Sequence, residues 1–323
     1  MVFACKYVVV ALDGKMKKPR LLLTGGSGLL ALNWACAMRN RWDVVLGMHQ
    51  HRAQLAGVDA CGLDLQDPTQ LGRQLDSLSP DLVVHTAGLT SVDRCEESRE
   101  SARQANAVIA RNVCEATAKK NIVLIHISTD HLFAGERPCY SEQEPVQPIN
   151  EYGRSKALAE EWVQAACPKS LILRTNFFGW GHRYRQSFSD WLIYNLRAGK
   201  PLTLFDDVYF TPILADRLAL AAHELIEKGA SGIFNLVGPT RLSKYEFGLR
   251  VSEHFSLPTS LISRGQLSLA TLLAPRPRDM SLDSSKAQQV LGHGVGTIHE
   301  YLQELQAQEE AGRRSELLES IDG

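Results

Sequence analysis

The chain has 323 residues, a formal net charge of -1 at pH 7 and 44% hydrophobic residues. The near-zero charge gives no electrostatic basis for binding nucleic acid or an anionic membrane surface. The seven cysteines are scattered and form no CxxC pair. Their spacing argues against a disulfide framework and against a zinc site, and we expect no bound metal.

The stretch before Pro19 is partly apolar but short. Lys6 interrupts the apolar run, which is too short to cross a bilayer, and no small-residue cleavage site precedes Lys15. We therefore interpret residues 1–18 as a flexible leader, with Met16 as an alternative start of the folded chain. The protein is expected to stay in the cytoplasm, without membrane partners.

From Arg20 onward, short apolar runs alternate with longer segments of helical period, which is typical of βαβ units. The predicted strands cover 20–24, 43–48, 81–85, 122–128, 170–174 and 232–236. The predicted helices cover 28–40, 67–78, 97–119 and 152–166. Near-continuous apolar strands suit a parallel sheet that is buried on both faces. The pattern predicts an α/β fold, a Rossmann-type doubly wound parallel sheet.

The strict alternation loosens after Phe177. We predict a Rossmann domain over 19–176, completed by about 212–237, and a smaller C-terminal substrate-binding lobe from 177–211 and 238–305. A basic run, HRYR at 182–185, lies in the first part of this lobe. The highly charged segment 306–323 is predicted to be a solvated helix or a frayed tail.

The segment TGGSGLLA at 24–31 follows the first predicted strand and opens a helix. Gly25 would allow a tight turn, and Gly28 would let the backbone approach a diphosphate. The helix N-terminus, beginning near Leu29, supplies N–H groups and the positive end of a dipole. A glycine-rich turn also occurs where only a positive φ is needed. In this position, directly after the first strand, it favours dinucleotide binding.

The end of the second predicted strand bears on which dinucleotide is bound. An acidic residue there would bind a ribose 2′-hydroxyl and disfavour a 2′-phosphate. Here the strand runs into Gln50, His51 and Arg52, with no carboxylate. His51 and Arg52 could meet a phosphate, so we predict NADP(H) in preference to NAD(H). The alternative is that Arg52 is only a solvated surface charge.

Tyr152 and Lys156 lie four residues apart, on one face of a predicted helix. An ammonium group beside a phenol favours the phenolate, so Lys156 is expected to lower the pKa of Tyr152 from about 10. Tyr152 could then pass a proton to an alkoxide as hydride arrives. A YxxxK spacing alone also arises by chance at the start of a surface helix.

Thr129 strengthens this interpretation because it follows the fourth apolar strand. In an open parallel sheet, ligands bind beyond the carboxyl ends of the strands. A hydroxyl at that position could polarise a substrate carbonyl. The alternative is a helix N-cap or a turn residue.

The glycine loop, Asp64-Leu65, HTAG at 85–88, Asn106, STD at 128–130, YGRSK at 152–156 and LRT at 173–175 resemble the extended short-chain dehydrogenase/reductases. More closely, HTAGLTSVDRCEE, STDHLFAG, LRTNFFGWG and PRPRDMSLDSSKAQQVLG resemble the dTDP-4-dehydrorhamnose reductase group. The resemblance extends from about Arg20 to about Leu305.

The resemblance implies roles for individual residues. It implies that Thr129, Tyr152 and Lys156 form the catalytic triad, with Lys156 also holding the nicotinamide ribose. The implied cofactor-binding residues, beside those of the glycine loop, are Asp64 and Leu65 at the adenine and Ala87 and Gly88 along the cofactor. The implied substrate-binding residues are Asp130, His131, Asn176, Phe177 and Arg276.

Arg276 matches an arginine that contacts the diphosphate in related nucleotide-sugar enzymes, and a guanidinium suits phosphate. The alternative is interdomain packing or a surface ion pair. His131 departs from the group's usual tyrosine and Phe177 from its frequent tryptophan, so the sugar need not be dTDP-4-dehydrorhamnose. A lone histidine such as His131 is also commonly a satisfied loop residue. His85 and His126 are expected to be core or cofactor-lining residues.

The resulting hypothesis is a reductase that acts on a keto group of a nucleotide-activated sugar, with Tyr152 as proton donor. One alternative is a non-catalytic NADP-binding protein that resembles the regulatory beta subunit of methionine adenosyltransferase. Another is an NAD-dependent epimerase or a dehydratase, although Asp130 supplies only one carboxylate beside Thr129. By analogy with the fold, the chain could form a homodimer.

Overall fold

A computed structural model describes residues 18–321 together with two short strands, Ala11–Leu12 and Lys15–Met16, which pair antiparallel. The predicted leader, residues 1–18, therefore lies mostly outside the described residues. Within the described part of the chain, no helix has the length and apolar character needed to span a bilayer.

A seven-stranded parallel sheet forms the centre of the molecule. Its strands are β1 (Arg20–Thr24), β2 (Asp43–Met48), β3 (Asp59–Gly62), β4 (Leu82–His85), β5 (Val123–Ile127), β6 (Leu171–Arg174) and β11 (Gly232–Asn235). Their order across the sheet is β11-β6-β5-β4-β1-β2-β3. The order reverses between β1 and β4, which is where open α/β sheets bind ligands. The predicted α/β fold class is confirmed.

Helices cover both faces of the sheet, and alternate strand residues feed two hydrophobic clusters. Helices α1 (Leu29–Met38) and α8 (Ala215–Glu227) contribute to the larger cluster. The other face carries α2 (Pro68–Leu78), α5 (Ile109–Lys119) and α6 (Glu151–Ala166). Burial on both faces explains why the strands read as continuous apolar runs.

The predicted helix over 97–119 is interrupted in the structure. The segment begins as α3 (Val92–Glu97) and α4 (Arg99–Arg103), which Ser98 separates. A single π-helical turn, Gln104–Val108, then leads into α5. The Ser98 hydroxyl accepts a hydrogen bond from the Ser101 amide and starts α4 as a new helix.

The residues after β6 build short strand pairs and helices beside one edge of the sheet. The strands are β7 (Phe177–Phe178), β8 (Leu202–Phe205), β9 (Tyr209–Phe210), β10 (Ile213–Leu214), β12 (Leu242–Ser243) and β13 (Ile262–Gly265). They pair as β7 with β10, β8 with β13, and β9 with β12. The helices are α7 (Phe188–Arg197), α9 (Lys244–His254) and α10 (Ser285–Leu291). Single turns of 3-10 helix cover Thr259–Leu261 and Leu267–Leu269.

The C-terminal segment was predicted as a solvated helix or a frayed tail, and its described residues form helices that are partly packed against the body. Helix α11 (Ile298–Glu310) is followed by α12 (Arg313–Glu319). Leu317 on α12 is 1% exposed, and Ile321 bridges to Ala53. The charges that suggested a tail form ion pairs with the body, as in Arg313 with Asp216.

Candidate active site

A cleft of about 380 Å³ opens at the carboxyl ends of β1, β4, β5 and β6. Residues that follow these strands line its floor, and residues 185–188 line it from the lobe side. Of the residues singled out from the sequence, those that line it are Gly28, Leu29, Ala87, Gly88, Thr129, Asp130, His131, Tyr152, Lys156, Asn176 and Phe177. These side chains, distant in sequence, are therefore brought to one place.

Gly25 makes the turn between β1 and α1 and has φ +67°. A Cβ atom at this position would lie 2.7 Å from the Cα atom of Ala87, so the turn fits only glycine. The Gly28 amide donates to the Gly25 carbonyl at 2.7 Å. Gly28 is the N-cap of α1 and provides no side-chain cap, so this end of the helix can receive a diphosphate.

Helix α6 positions Tyr152 and Lys156. Its N-cap, Asn150, accepts a hydrogen bond from the Gly153 amide at 2.8 Å. The Lys156 ammonium donates to the Ile127 carbonyl at 2.6 Å, which ties α6 to the end of β5. Tyr152, Lys156 and Thr129 are all buried. The helix therefore presents the phenol and the ammonium to the same cleft as Thr129.

The predicted lowering of the Tyr152 pKa is wrong for this structure. Burial raises the pKa of Tyr152 to about 12, and the hydrogen bond with Thr129 opposes the shift only in part. Burial disfavours the charged form of a phenol. Tyr152 therefore keeps its proton near neutral pH.

Lys156 shows the opposite shift for the same reason. Burial lowers its pKa from 10.5 to about 8, and Glu160 opposes the shift. His85 and His126, on the neighbouring strands β4 and β5, stack at 5.5 Å between ring centroids. Burial lowers the pKa of both imidazoles, and the Lys156 charge adds to the effect. Both histidines are thus neutral side chains beneath the cleft.

Asn106 was noted in the resemblance, but no role was predicted for it. The structure places it on the π-helical turn, where its side chain exchanges hydrogen bonds with the Leu89 backbone at 2.7 and 3.0 Å. It also donates to the Ser155 hydroxyl at 2.9 Å. Asn106 therefore links the loop after β4 to α6, and the π turn directs it inward.

Asp130 and Asn176 meet in the lining of the cleft, where the Asn176 amide donates to the Asp130 carboxylate at 2.5 Å. The Thr129 hydroxyl lies 3.3 Å from the same carboxylate. The His131 ring stands edge-on to Tyr152, 5.4 Å between centroids. Phe177 lines the cleft beside Asn176. Polar and aromatic groups thus surround the phenol.

Arg276 lies near this site but is already paired. Its guanidinium contacts the Asp93 carboxylate at 2.9 Å and the Ala274 carbonyl at 2.8 Å. It is not among the residues that line the cleft. Burial is the main cause that lowers the pKa of His131, and the charges of Lys244 and Arg276 add to it, so both cations lie near His131. The phosphate role of Arg276 stays a prediction beside the ion-pair alternative.

The residues expected at the adenine and at the 2′-phosphate lie outside the cleft lining. His51 and Arg52 are exposed after β2, and Leu65 is buried. The Asp64 carboxylate accepts from the amides of Gln66 and Asp67, so it shapes the turn into α2. The predicted contacts of these four residues with a cofactor stay predictions.

Two further cations adjoin the cleft and received no role from the sequence. Arg185, from the basic run, lines it directly. Lys244, the first residue of α9, is held over the Phe210 ring at 3.2 Å from the centroid. No motif in the sequence identifies either cation, since the packing of the lobe brings Arg185 to the cleft and Lys244 near Asp130. Among the described residues no cluster of histidine, cysteine and carboxylate groups is suited to hold a metal.

Residues 19–310 match the family model described as the RmlD substrate binding domain. A probable low-salt glycan biosynthesis reductase of Haloferax volcanii is 31% identical, over 88% of this chain and 96% of that protein. A dTDP-4-dehydrorhamnose reductase of Aggregatibacter actinomycetemcomitans is 27% identical, over 84% and 93%. The beta subunit of methionine adenosyltransferase 2 of Danio rerio is 28% identical, over 85% and 86%.

A solved structure of similar fold is that of a hypothetical dTDP-4-dehydrorhamnose reductase from Sulfolobus tokodaii. It is 33% identical, with a TM-score of 0.75 over 85% of this chain and 95% of that chain.

Proposed function

The chain belongs to the RmlD substrate binding domain family, and on this premise we propose that it is an NADP(H)-dependent reductase of a keto group on a nucleotide-activated sugar. The relatives include reductases that match nearly the whole chain, which supports an oxidoreductase with a nicotinamide cofactor. The single observation that carries the proposal is that one cleft contains Thr129, Tyr152 and Lys156 together with Gly28 at the glycine turn.

Bound NADPH would supply hydride to the carbonyl carbon of the substrate. The chain's own residues would orient the carbonyl and provide the proton. The Thr129 hydroxyl donates to the carbonyl oxygen and stabilises its developing charge. Tyr152, neutral because burial raises its pKa to about 12, donates its proton to the same oxygen. The Lys156 ammonium, held by the Ile127 carbonyl, provides a fixed positive charge nearby.

The residues at the end of β2 support NADP(H) over NAD(H). The carboxylate that would bind a ribose 2′-hydroxyl and repel a 2′-phosphate is missing from the sequence there. His51 and Arg52 occupy this segment and are exposed, so either side chain is accessible to a phosphate. A titration that gives a much lower Kd for NADPH than for NADH would support this preference.

The substrate side of the cleft supports a nucleotide sugar. Asp130, paired with Asn176, offers acceptors for sugar hydroxyls, and Phe177 offers an apolar face. The cations Lys244 and Arg276 lie on the same side, where a diphosphate would follow the sugar. Since His131 and Phe177 depart from the group's usual residues, the proposed substrate is the class of nucleotide 4-ketosugars rather than one sugar.

The decisive variant is Tyr152→Phe. We expect NADPH oxidation with nucleotide 4-ketosugars to fall by about 100-fold or more, because the proton donor is lost. The NADPH Kd should stay within about two-fold, since the phenol oxygen is the only group removed. Tyr194→Phe, at an exposed tyrosine on α7, is the matched control. Full turnover by the Tyr152→Phe variant would refute the proposed role.

A second candidate function is a regulatory subunit, because the methionine adenosyltransferase beta subunit matches most of the chain. A regulatory protein would bind NADPH but would not oxidise it with any ketosugar. It would bind a partner enzyme whether or not Tyr152 is intact. An epimerase would instead retain tightly bound NAD on purification. Turnover in a ketosugar screen separates the reductase from both.

A further inference from the structure

The basic segment 182–185, His182-Arg183-Tyr184-Arg185, connects β7 to α7 and has no part in the proposed chemistry. We call these four residues the strap. The strap begins after Gly181 and ends at Arg185, three residues before Phe188, which opens α7. Arg183, Tyr184 and Arg185 are all exposed, as is Gln186 just after the strap, whereas Gly181 and Ser187 are buried.

The base of the strap is firmly held. The His182 and Arg185 backbones exchange hydrogen bonds at 2.9 and 3.0 Å. Ser187, just beyond the strap, caps α7 by accepting from the Asp190 amide at 3.1 Å. A Cβ atom on Gly181 would lie 2.9 Å from the Asp190 carboxylate, so the chain turns tightly there. The exposed tip is therefore projected from a fixed turn.

The tip of the strap touches both sides of the glycine turn. The Tyr184 ring stacks on His51, which follows β2, at 6.2 Å between centroids and an interplanar angle of 19°. The Arg185 guanidinium donates to the hydroxyl of Thr90, which follows β4, at 2.6 Å. Strand β1 lies between β4 and β2 in the sheet, and the glycine turn follows β1. The strap therefore crosses over the turn that is built to receive a diphosphate.

The charges of the strap are not neutralised by neighbours. Within residues 18–321, neither Arg183 nor Arg185 forms a salt bridge. Arg185 donates to a neutral hydroxyl, and it lines the same cleft as Gly28 and Leu29. A phosphate oxygen is a stronger acceptor for a guanidinium than a hydroxyl is.

We propose that the strap closes over the bound dinucleotide, with Arg185 as a ligand of its phosphate groups and Tyr184 closing the groove against His51. The inference rests on the proposed function only in its cofactor. On binding, Arg185 exchanges the Thr90 hydroxyl for a phosphate oxygen, and the strap becomes ordered by the ligand. The lobe thus contributes to cofactor binding as well as to substrate binding.

The first test compares Arg185→Gln with Arg183→Gln. Both variants remove one positive charge from the strap, but Arg183 is not among the residues that line the cleft. We expect the NADPH Kd, measured by calorimetric titration of the intact chain, to rise about ten-fold or more for Arg185→Gln, because a charge-assisted hydrogen bond is lost. Arg183→Gln should stay within about three-fold. Equal thermal midpoints without NADPH would show that both variants fold.

The second test uses trypsin, which cleaves after arginine. The exposed tip offers cleavage after Arg183 and Arg185, and saturating NADPH should slow both cuts by about ten-fold or more in the wild-type chain. Tyr184→Ala should lose most of this protection, because the contact with His51 is gone. Cleavage at an unchanged rate with NADPH bound would overturn the closure.

The remaining outcomes separate the strap from the proposed function. If the chain binds NADPH and the strap becomes protected, but no ketosugar is reduced, the proposed reductase function is refuted and the proposed closure of the strap is supported. Normal NADPH affinity in Arg185→Gln would overturn the strap, whether or not the reductase is active. The strap proposal would also be overturned if Arg185→Gln lost affinity only for dTDP, which probes the substrate side. A wild-type chain that does not bind NADPH would overturn it as well.

Discussion

Lys156 carries a charge in a buried position. This charge lowers the stability of the fold, although the proposed reaction uses it. Its pKa in the folded chain is about 8, whereas the ordinary value is 10.5, because burial disfavours the ammonium. Between these two values the unfolded chain binds more protons than the folded chain. Stability from this group therefore rises with pH from about 8 to about 10.5, and the full penalty applies below pH 8.

We predict that Lys156→Met abolishes turnover without lowering stability at pH 7. We compare the free energy of unfolding of the variant minus that of the wild type at two pH values. This difference should be about 1–3 kcal/mol larger at pH 7 than at pH 10.5. Urea unfolding across this pH range measures it. Lys228→Met removes an exposed lysine and should show no such trend. A difference that stays constant with pH would contradict the assigned shift.

A glycine can be required by a positive φ or by the lack of space for a Cβ atom, and Gly25 and Gly57 allow these two effects to be compared. Both have positive φ, at +67° and +69°, but only Gly25 has a neighbour, Ala87, within contact of an added Cβ atom. We predict that Gly57→Ala lowers the free energy of unfolding by about 1 kcal/mol, for the backbone alone. Gly25→Ala should lower it by about 2–4 kcal/mol and weaken NADPH binding, because the turn must shift. Equal effects in urea unfolding would contradict a close-packed turn.

At the scale of elements, helix α12 is attached to the body by one buried side chain and several ion pairs. Leu317 is 1% exposed, whereas its neighbour Leu318 is only partly buried. We predict that Leu317→Ala lowers the free energy of unfolding by about 2–4 kcal/mol, and Leu318→Ala by clearly less. Chemical denaturation of the two variants measures the difference. Indistinguishable values would favour a solvated helix or a frayed tail, as expected from the sequence.

The sequence predicted α12 poorly because its charges dominate the composition, while its burial depends on partners far away. Glu316 contacts Arg39, and Arg314 contacts Asp190. Strand β3 was missed for a similar reason, since its residues are mostly exposed at the sheet edge. The strands that were predicted, such as β1 and β6, carry their signal locally because both of their faces are buried.

The residues of the candidate site also differ in whether local sequence or distant packing places them. Local motifs after β1, β4 and β5 identified the residues that the structure brings into one cleft, because parallel strands end at one edge. Arg185 and Lys244 carry no motif, since the lobe's packing alone brings them near it. The Tyr152 pKa was predicted with the wrong sign, because spacing shows the neighbouring ammonium but not the burial of the phenol.

At the scale of the whole molecule, one hydrophobic cluster joins the sheet to the lobe. It runs from Leu23 on β1 and Trp34 on α1 to Phe247 on α9 and Leu305 on α11. Trp34 also donates to His223 on α8 at 3.1 Å. The lobe is therefore not a separate unit with its own core, and its side chains complete the core of the predicted Rossmann segment.

We predict that the fragment 19–176 does not fold alone. Without residues 177–323, β6 loses its neighbour β11, and α1 loses the packing of α8. Side chains such as Trp34 and Leu173, which are fully buried in the whole chain, would then face water. At roughly 25 cal/mol per Å² of apolar surface, exposing several such side chains removes more than the about 5–15 kcal/mol that stabilises a typical domain.

The full chain should instead unfold in one calorimetric transition, and NADPH at 100 times its Kd should stabilise it by about 2.7 kcal/mol. The fragment should show no cooperative transition and no NADPH binding, although it contains the glycine turn and Tyr152. Circular dichroism with thermal melting, on both chains, distinguishes these results. A fragment that melts cooperatively would mean that the sheet holds its own core, and the shared cluster would then only join two stable parts.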